Sequence, residues 1–104
     1  MITAMIRLQV KPHCLNEFKI INAELTKATQ GVRKGCINYM FLQDQDNPYQ
    51  FVLFEQWQDQ AAIDGHIEYL VKKFGDPLPG QALPEKLVNL YESSEIKFYQ
   101  VLGQ

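Results

Sequence analysis

Two neighbouring segments, CINYMFLQ (residues 36–43) and QFVLFEQW (residues 50–57), carry large apolar side chains at both odd and even positions. Successive side chains of a strand point to opposite faces, so both faces of these segments require cover. The polar cluster DQDNPY between them predicts the turn of a β-hairpin. This hairpin must therefore lie between two packed layers.

The remaining segments predict two more strands and two helices. Residues 2–10 alternate in polarity as a strand does, and residues 93–101 predict the last strand. From Leu15, apolar residues recur at helical spacing as far as Val32, and Gly31 and Gly35 lie where that helix should end. Asp59 is the expected N-cap of a second helix that ends at Gly75. A short helical piece is expected at 84–90, after the proline-rich connection 75–84.

This order of elements predicts an α+β fold of the ferredoxin-like type, β-α-β-β-α-β. One four-stranded antiparallel sheet should carry two helices on one face. The chain of 104 residues is expected to form a single domain, 1–104. Because two helices cover only one face, the other face needs a partner. The simplest partner is a second copy, so we predict a homodimer formed by sheet-to-sheet packing.

Pleat alternation assigns faces within the hairpin. Ile37, Tyr39 and Phe41 are predicted on one face of the first strand, and Cys36, Met40 and Leu42 on the other. On the second strand, Glu55 and Trp57 share a face with Phe51 and Leu53. Such apolar neighbours are expected to raise the pKa of the Glu55 carboxyl group.

Composition argues against several classes of function. The net charge is −2 and the ten basic residues are scattered, which gives no electrostatic footprint for nucleic acid. No leader is apparent and the apolar runs are too short to cross a bilayer, so we expect a cytoplasmic protein with no membrane partner. The two cysteines form no metal-type cluster. Neither a metal nor another cofactor is predicted.

The candidate site lies within residues 51–70. His66 stands on the apolar stripe of the second helix, where Ile63, Leu70 and Phe74 are its companions. If Glu55 and Trp57 face this helix, an aromatic wall, a carboxylate and an imidazole line one cleft. That set is suited to proton transfer with a small planar substrate.

A structural interpretation of the same residues stays open. Trp57 is equally compatible with the core or with a dimer contact. His66 and Glu55 could form a buried pair with no catalytic role. Glu55 could also point to the dimer face and bond a residue of the other copy.

The spacing of these residues resembles the antibiotic biosynthesis monooxygenase (ABM) family. The matching positions are Gly35-Cys36-x-x-Tyr39, Gln43-Asp44, Phe51-Val52-Leu53-Phe54-Glu55-x-Trp57-x-Asp59, Ala61-Ala62 and His66. The resemblance covers roughly residues 2–75. It implies the dimeric α+β barrel of that family, in which two sheets pack face to face. It also implies a cofactor-independent monooxygenase that oxidises a small quinol, phenol or enol with dioxygen.

The resemblance suggests a role for each candidate residue. His66 is expected to act as the base, Glu55 to set its tautomer or accept a proton, and Trp57 to form a stacking wall. The expected substrate-binding residues are Tyr39, Phe51, Leu53, Ile63, Leu70 and Phe74. Leu53 and Ile63 replace an Asn and a Tyr that some polyketide oxygenases of the family carry. This departure favours an alternative, a non-catalytic small-ligand binding or stress-response protein; an isomerase on the same scaffold is another.

Overall fold

A computed structural model describes residues 1–103 and contains one antiparallel sheet with helices. The strands are β1 (Ile2–Val10), β2 (Cys36–Gln43), β3 (Gln50–Trp57) and β4 (Tyr91–Tyr99); the helices are α1 (Leu15–Thr29), α2 (Gln60–Phe74) and the short α3 (Glu85–Val88). The strand order is β2-β3-β1-β4, and every neighbouring pair is antiparallel. The predicted β-α-β-β-α-β order and four-stranded antiparallel sheet are confirmed.

The core lies between the helices and one face of the sheet. Alternation along β1 buries Ala4, Leu8 and Val10, while Arg7 on the other face is exposed. The main apolar cluster joins this face to α1, α2 and the α3 segment; it includes Leu8, Val10, Phe18, Ile21, Leu25, Tyr39, Phe51, Leu53, Trp57, Leu70, Leu87 and Leu90. Burial of each large side chain contributes about 1.5–3 kcal/mol, so this layer is the main source of stability.

The opposite face of the sheet carries a polar row among apolar side chains. Asn38 Nδ2 donates to Gln56 Oε1 at 2.6 Å, and Gln56 Nε2 donates to Thr3 Oγ1 at 3.1 Å, which links β2, β3 and β1. Beside the row, Met40 and Leu42 are 40% and 46% exposed. We call this surface, with its polar row, the open face.

A bulge at the start of β2 reverses the faces predicted for two residues. Cys36 pairs with Trp57 and Asn38 pairs with Gln56, so Ile37 is the extra residue. Cys36 therefore packs against the core and Ile37 is 44% exposed, the opposite of the predicted assignment. Strict alternation fails here because a bulge inserts one residue into one strand of the pair.

The end of α1 lies close to the glycines that predict it, whereas β4 is displaced. Helix α1 ends at Thr29, and Gly31 takes a left-handed conformation with φ of 73°. Val32 lies in the connection to β2 and is 67% exposed. Strand β4 begins at Tyr91 and ends at Tyr99, two residues earlier than predicted at both ends.

The connection from α2 to β4 is ordered by a few contacts. Pro77 and Pro84 form an isolated antiparallel bridge, and Leu87 of α3 is buried in the core. The predicted helical piece is thus present but shorter than 84–90. Within residues 1–103, none of the helices is long and apolar enough to cross a membrane.

Candidate functional site

Helix α2 begins at a side-chain cap and ends at a glycine, as predicted. Asp59 accepts a hydrogen bond from the Ala62 N–H at 2.9 Å, which satisfies one free donor of the first turn. Gly75, with φ of 101°, follows the last residue and donates its N–H to Val71 at 2.8 Å. Between these two ends, packing of the apolar stripe that contains His66 and Leu70 turns His66 towards the sheet.

A close approach between β2 and α2 also determines the position of the site. Gly35 has φ of 80°, and a Cβ atom there would lie 2.5 Å from Ala62 Cβ. Its carbonyl accepts the Gln58 N–H at 2.8 Å. Only glycine allows both the backbone conformation and this contact.

Three aromatic rings surround the imidazole of His66. Its centroid lies 4.9 Å from that of Trp57, 5.2 Å from Tyr39 and 6.1 Å from Tyr69. The plane of the Trp57 ring is tilted by 34°, and that of Tyr69 by 24°. His66 is 5% exposed. The prediction that Trp57 and His66 come together is confirmed.

The His66 imidazole is neutral at physiological pH. Burial is the larger cause that lowers its pKa from 6.5 to about 4, and the nearby positive charge of Arg33 is the second. Its Nδ1 atom is buried and has no hydrogen-bond partner among the described residues. A buried, unpaired imidazole nitrogen costs stability in the folded chain, which makes it a candidate for chemistry.

Glu55 is bonded to Trp57 rather than to His66. The indole N–H of Trp57 donates to Glu55 Oε1 at 2.9 Å. Burial raises the pKa of the Glu55 carboxyl group, as expected, while this hydrogen bond opposes the rise. Glu55 faces the helices together with Trp57, and its direct partner is the indole.

The Glu55 carboxylate also affects two neighbouring acids on β2. Burial and then the charge of Glu55 raise the pKa of Tyr39 well above its ordinary value. The same two causes, in the same order, raise the pKa of the Cys36 thiol. Both groups therefore stay protonated at neutral pH, so Tyr39 is a potential hydrogen-bond donor and Cys36 is a poor nucleophile.

The remaining predicted binding residues do not all lie near His66. Phe51 packs on Phe18, with ring centroids 4.6 Å apart. It stands six residues before Trp57 on β3, about 20 Å away along the strand. Leu53 and Leu70 are core residues, while Ile63 and Phe74 are partly buried against the core. Phe51 therefore serves the core rather than the surroundings of His66.

A groove of about 820 Å³ lies beside α2, at the level of His66. It runs between the end of α1, the connection 30–35 and the first half of α2, and its lining includes Ala28, Arg33, Lys34, Ala61, Gly65 and Tyr69. We call it the α1–α2 groove. Its volume is in the range of small-molecule sites.

Arg33 is the residue of this region that the sequence did not reveal. It donates through Nη2 to the Gly65 carbonyl at 3.0 Å, and its guanidinium carbon lies 4.8 Å from the Tyr69 ring centroid. Arg33 stands in a short connection with a glycine on each side, and no pattern in the sequence indicates which residues it contacts. Only the turn at residues 30–35 brings it against α2.

The described side chains offer little for metal binding. Residues 1–103 contain no group of three or more His, Cys, Asp or Glu residues close enough to hold a metal ion. The site is instead built from aromatic rings, one neutral imidazole and one carboxyl group.

Comparison with solved structures shows a shared fold. The chain superposes on a candidate antibiotic biosynthesis monooxygenase from Nitrosomonas europaea with a TM-score of 0.76 at 20% identity, covering 98% of this chain and 99% of that one. A similar candidate from Deinococcus radiodurans gives a TM-score of 0.70 at 22% identity, with 97% and 92% covered. At these identities, the likeness establishes the fold alone.

Comparison of the amino-acid sequence with other proteins shows the family as well as the fold. An uncharacterized protein of Synechocystis sp. is 28% identical over 94 residues, which cover 90% of this chain and 58% of that protein. This chain thus spans little more than half the length of that relative. The family model described as antibiotic biosynthesis monooxygenase matches residues 1–68, which hold β1 through most of α2 and include Glu55, Trp57 and His66. The chain belongs to the antibiotic biosynthesis monooxygenase family.

Proposed function

We propose that this protein is a cofactor-independent monooxygenase that oxidises a small quinol, phenol or enol with dioxygen. The observation that carries the proposal is the environment of His66. A neutral imidazole with an unpartnered Nδ1 lies against the Trp57 and Tyr39 rings, in a site from which water is largely excluded. Membership of the family supports the same class of reaction.

The proposed reaction begins with proton transfer to His66. Its pKa of about 4 keeps the imidazole unprotonated at neutral pH, so it can accept a proton from the substrate hydroxyl. A base of such low pKa is weak. The transfer leaves an imidazolium next to the substrate anion, and in a poorly solvated site the attraction of these opposite charges offsets part of the cost.

The substrate anion then supplies electrons to dioxygen. For a phenol with a free ring C–H, one oxygen atom becomes the second carbonyl of a quinone. The other leaves as water, with the phenolic and ring hydrogens. Atoms and electrons balance with dioxygen as the only oxidant.

Trp57 and Glu55 act together in this scheme. The indole of Trp57 forms a wall next to His66, and its N–H is held by the Glu55 carboxyl group. We therefore assign Glu55 the role of positioning Trp57, in place of the role of setting the His66 tautomer. Tyr39, which stays protonated, is a second potential donor, and its ring centroid lies 5.2 Å from that of the imidazole.

Homodimerisation through the open face is part of the proposal. Met40 and Leu42 are large apolar residues left substantially exposed on a sheet whose other face forms the core. Covering them would release water from apolar surface, and a second copy offers a matching face. The dimer would bury the open face without obstructing the helix side that holds His66.

Dioxygen uptake by wild type and His66→Ala tests the function. A panel of hydroquinones and polyhydroxylated aromatics is followed with an oxygen electrode, and products are identified by mass. His13→Ala is the matched control, because His13 is exposed in the turn before α1. We expect uptake above the autoxidation blank in wild type and His13→Ala, and its loss in His66→Ala. Unchanged turnover in His66→Ala would remove His66 from the mechanism.

A non-catalytic ligand-binding function is the second candidate, and the position of the α1–α2 groove favours it. That groove lies at Arg33 and Lys34, on the connection side of α2, and His66 does not line it. A ligand that binds and is recovered unchanged, with no oxygen consumed, would support this candidate. Conversion without oxygen consumption would instead indicate an isomerase that uses the same imidazole.

A further inference from the structure

We propose that the α1–α2 groove is a binding site for a small carboxylate with an apolar body, such as an aryl carboxylate, held by Arg33 and Lys34. The site shares Tyr69 with the aromatic cluster around His66, but His66 itself does not line it. The inference stands apart from the proposed oxidation, because it concerns binding alone and would hold for a catalytic or a non-catalytic protein.

The first argument is the unbalanced charge of Arg33. Its recorded partners are both neutral, the carbonyl of Gly65 and the ring of Tyr69. Within residues 1–103, the two ion pairs join Lys73 to Glu24 and Lys97 to Glu95, and neither involves Arg33 or Lys34. The groove thus presents two cations that form no ion pair within residues 1–103.

The second argument is an unmet hydrogen bond at the same side chain. The Nε–H of Arg33 is buried and has no acceptor among residues 1–103. A buried donor without an acceptor destabilises the folded chain, whereas a carboxylate bound in the groove would supply an acceptor and a compensating charge once the guanidinium turns towards it. An arginine fork suits the planar, two-oxygen geometry of a carboxylate.

The third argument is the apolar lining, which selects the body of the ligand. Ala28, Val32, Ala61 and Ala62 form much of the wall, and Val32 is 67% exposed. Small side chains on both walls leave room for a flat ring between them. A free phosphate would gain nothing from these residues, whereas an aryl group would bury them.

One acidic residue also lines the groove and must be counted. Asp59 lies at its edge, where a carboxylate oxygen accepts the Ala62 N–H and caps α2. Its negative charge is offset in part by the start of the helix that it caps. Two cations against one such carboxylate leave the groove with a net positive charge.

Binding of benzoate to the intact chain tests the inference. Chemical-shift titration and calorimetry compare benzoate with benzamide, a neutral molecule of nearly the same shape, and with inorganic phosphate. We expect benzoate to shift resonances of residues 28–35 and 58–69, and to bind at least about tenfold more tightly than benzamide.

Four variants distinguish the contribution of positive charge to benzoate binding from that of the shape of the groove. Arg33→Gln should weaken benzoate binding by roughly tenfold or more, and Lys34→Gln by less, because Lys34 is exposed and its charge is better screened. Ala61→Phe should also weaken binding by filling the groove without changing charge. Lys72→Gln is the control, an exposed cation of α2 that does not line the groove, and should bind as wild type does.

Three results would overturn the inference. The first is no benzoate binding by the wild type, and the second is equal affinity in wild type and Arg33→Gln. The third is phosphate binding as tight as that of benzoate together with no effect of Ala61→Phe, which would reject the aryl carboxylate class. Because Ala61 is exposed, Ala61→Phe keeps the inference testable even if Arg33→Gln fails to fold. None of these readouts depends on oxygen uptake, so failure here is distinct from failure of the proposed oxidation.

Discussion

The indole N–H of Trp57 donates to Glu55 Oε1 at 2.9 Å, and both side chains belong to the same face of β3. Residues two apart on a strand lie on one face, but that spacing alone does not require them to be bonded. Here the bond gives a buried carboxyl group its donor and holds the indole next to His66. The pair therefore acts as one unit, and this has measurable consequences.

Trp57→Phe should raise the pKa of Glu55 further. The variant keeps an aromatic ring but removes the N–H, and that hydrogen bond is the only cause that lowers this pKa against burial. Stability at neutral pH should fall by about 1–3 kcal/mol, because a buried carboxyl group loses its donor and the smaller ring leaves a cavity. Carbon-detected NMR titration and denaturant unfolding measure the two effects. In a Glu55→Leu background, which removes the acceptor, the same change should cost less; equal costs would show that the bond contributes nothing.

Arg33→Gln should raise the pKa of His66 above its folded value of about 4. The charge of Arg33 is the second cause of that low pKa, so its removal leaves burial, the larger cause, in place. The new pKa should therefore remain below the ordinary 6.5. Proton NMR of the imidazole during a pH titration gives the value. Lys72→Gln serves as the control for loss of one positive charge, and an unaltered pKa in Arg33→Gln would contradict the electrostatic assignment.

His66 should make the folded state less stable as the solution becomes acidic. Its pKa is about 4 when folded against 6.5 as the ordinary value, so between these pH values the unfolded chain binds a proton that the folded chain does not. The associated stability is present above pH 6.5 and is lost as pH falls towards 4, by about 3 kcal/mol in total. Glu55, whose pKa is raised, acts in the opposite direction, losing stability as pH rises through its folded pKa.

The comparison with His66→Leu isolates this contribution. Unfolding free energies of the wild type and the variant are measured by urea titration from pH 7 to pH 4. The stability of wild type relative to His66→Leu should decrease steadily across that window. A constant difference would show that the imidazole has the same proton affinity in the folded and unfolded states.

Gly35→Ala should destabilise the chain by about 2 kcal/mol or more. The left-handed backbone alone costs an alanine about 1–2 kcal/mol, and the new Cβ would lie 2.5 Å from Ala62 Cβ. Ala62→Gly in the same background should restore the steric part only. Gly65→Ala is the control, and it should have the opposite effect. A Cβ at residue 65 would meet nothing within 4 Å, so the higher helix propensity of alanine should stabilise the chain by up to about 1 kcal/mol. Thermal unfolding measures the stability of each variant. Equal changes in stability for Gly35→Ala and Gly65→Ala would contradict the strain assigned to position 35.

Met40→Glu should dissociate the proposed dimer. Light scattering during size-exclusion chromatography should give wild type twice the chain mass of 12.1 kDa, and the variant a single chain mass. Ile20→Glu is the control, because Ile20 is 63% exposed on α1, away from the sheet. A monomeric wild type would reject the dimer, and a dimeric Met40→Glu would place the interface elsewhere.

The sequence predicted the fold well because each element carries a periodic pattern and its own ends. Asp59 and Gly75 mark the ends of α2, and the alternation in β1 separates its two faces without ambiguity. Pattern reasoning failed where a single residue changes the register. The bulge at Ile37 lets Cys36 and Asn38 pair with the consecutive residues Trp57 and Gln56, a register that no local period contains.

Prediction of the site was partial for a similar reason. The meeting of Trp57 with His66 follows from helix and strand periods together, and the structure confirms it. The position of Arg33 depends on the path of residues 30–35, which is irregular. Its influence on the His66 pKa acts across the tertiary fold, so spacing along the chain could not indicate it.

The row formed by Asn38, Gln56 and Thr3 has a consequence for the other side of the sheet. If β3 slipped by one residue, Gln56 would turn into the apolar layer, and Glu55 and Trp57 would turn out to the open face. Such a slip would break both hydrogen bonds of the row and bury an amide without partners. These three residues of the open face thus hold β3 in register. They do not touch His66, yet they keep the Glu55 carboxyl group and the Trp57 indole on the His66 side of the sheet.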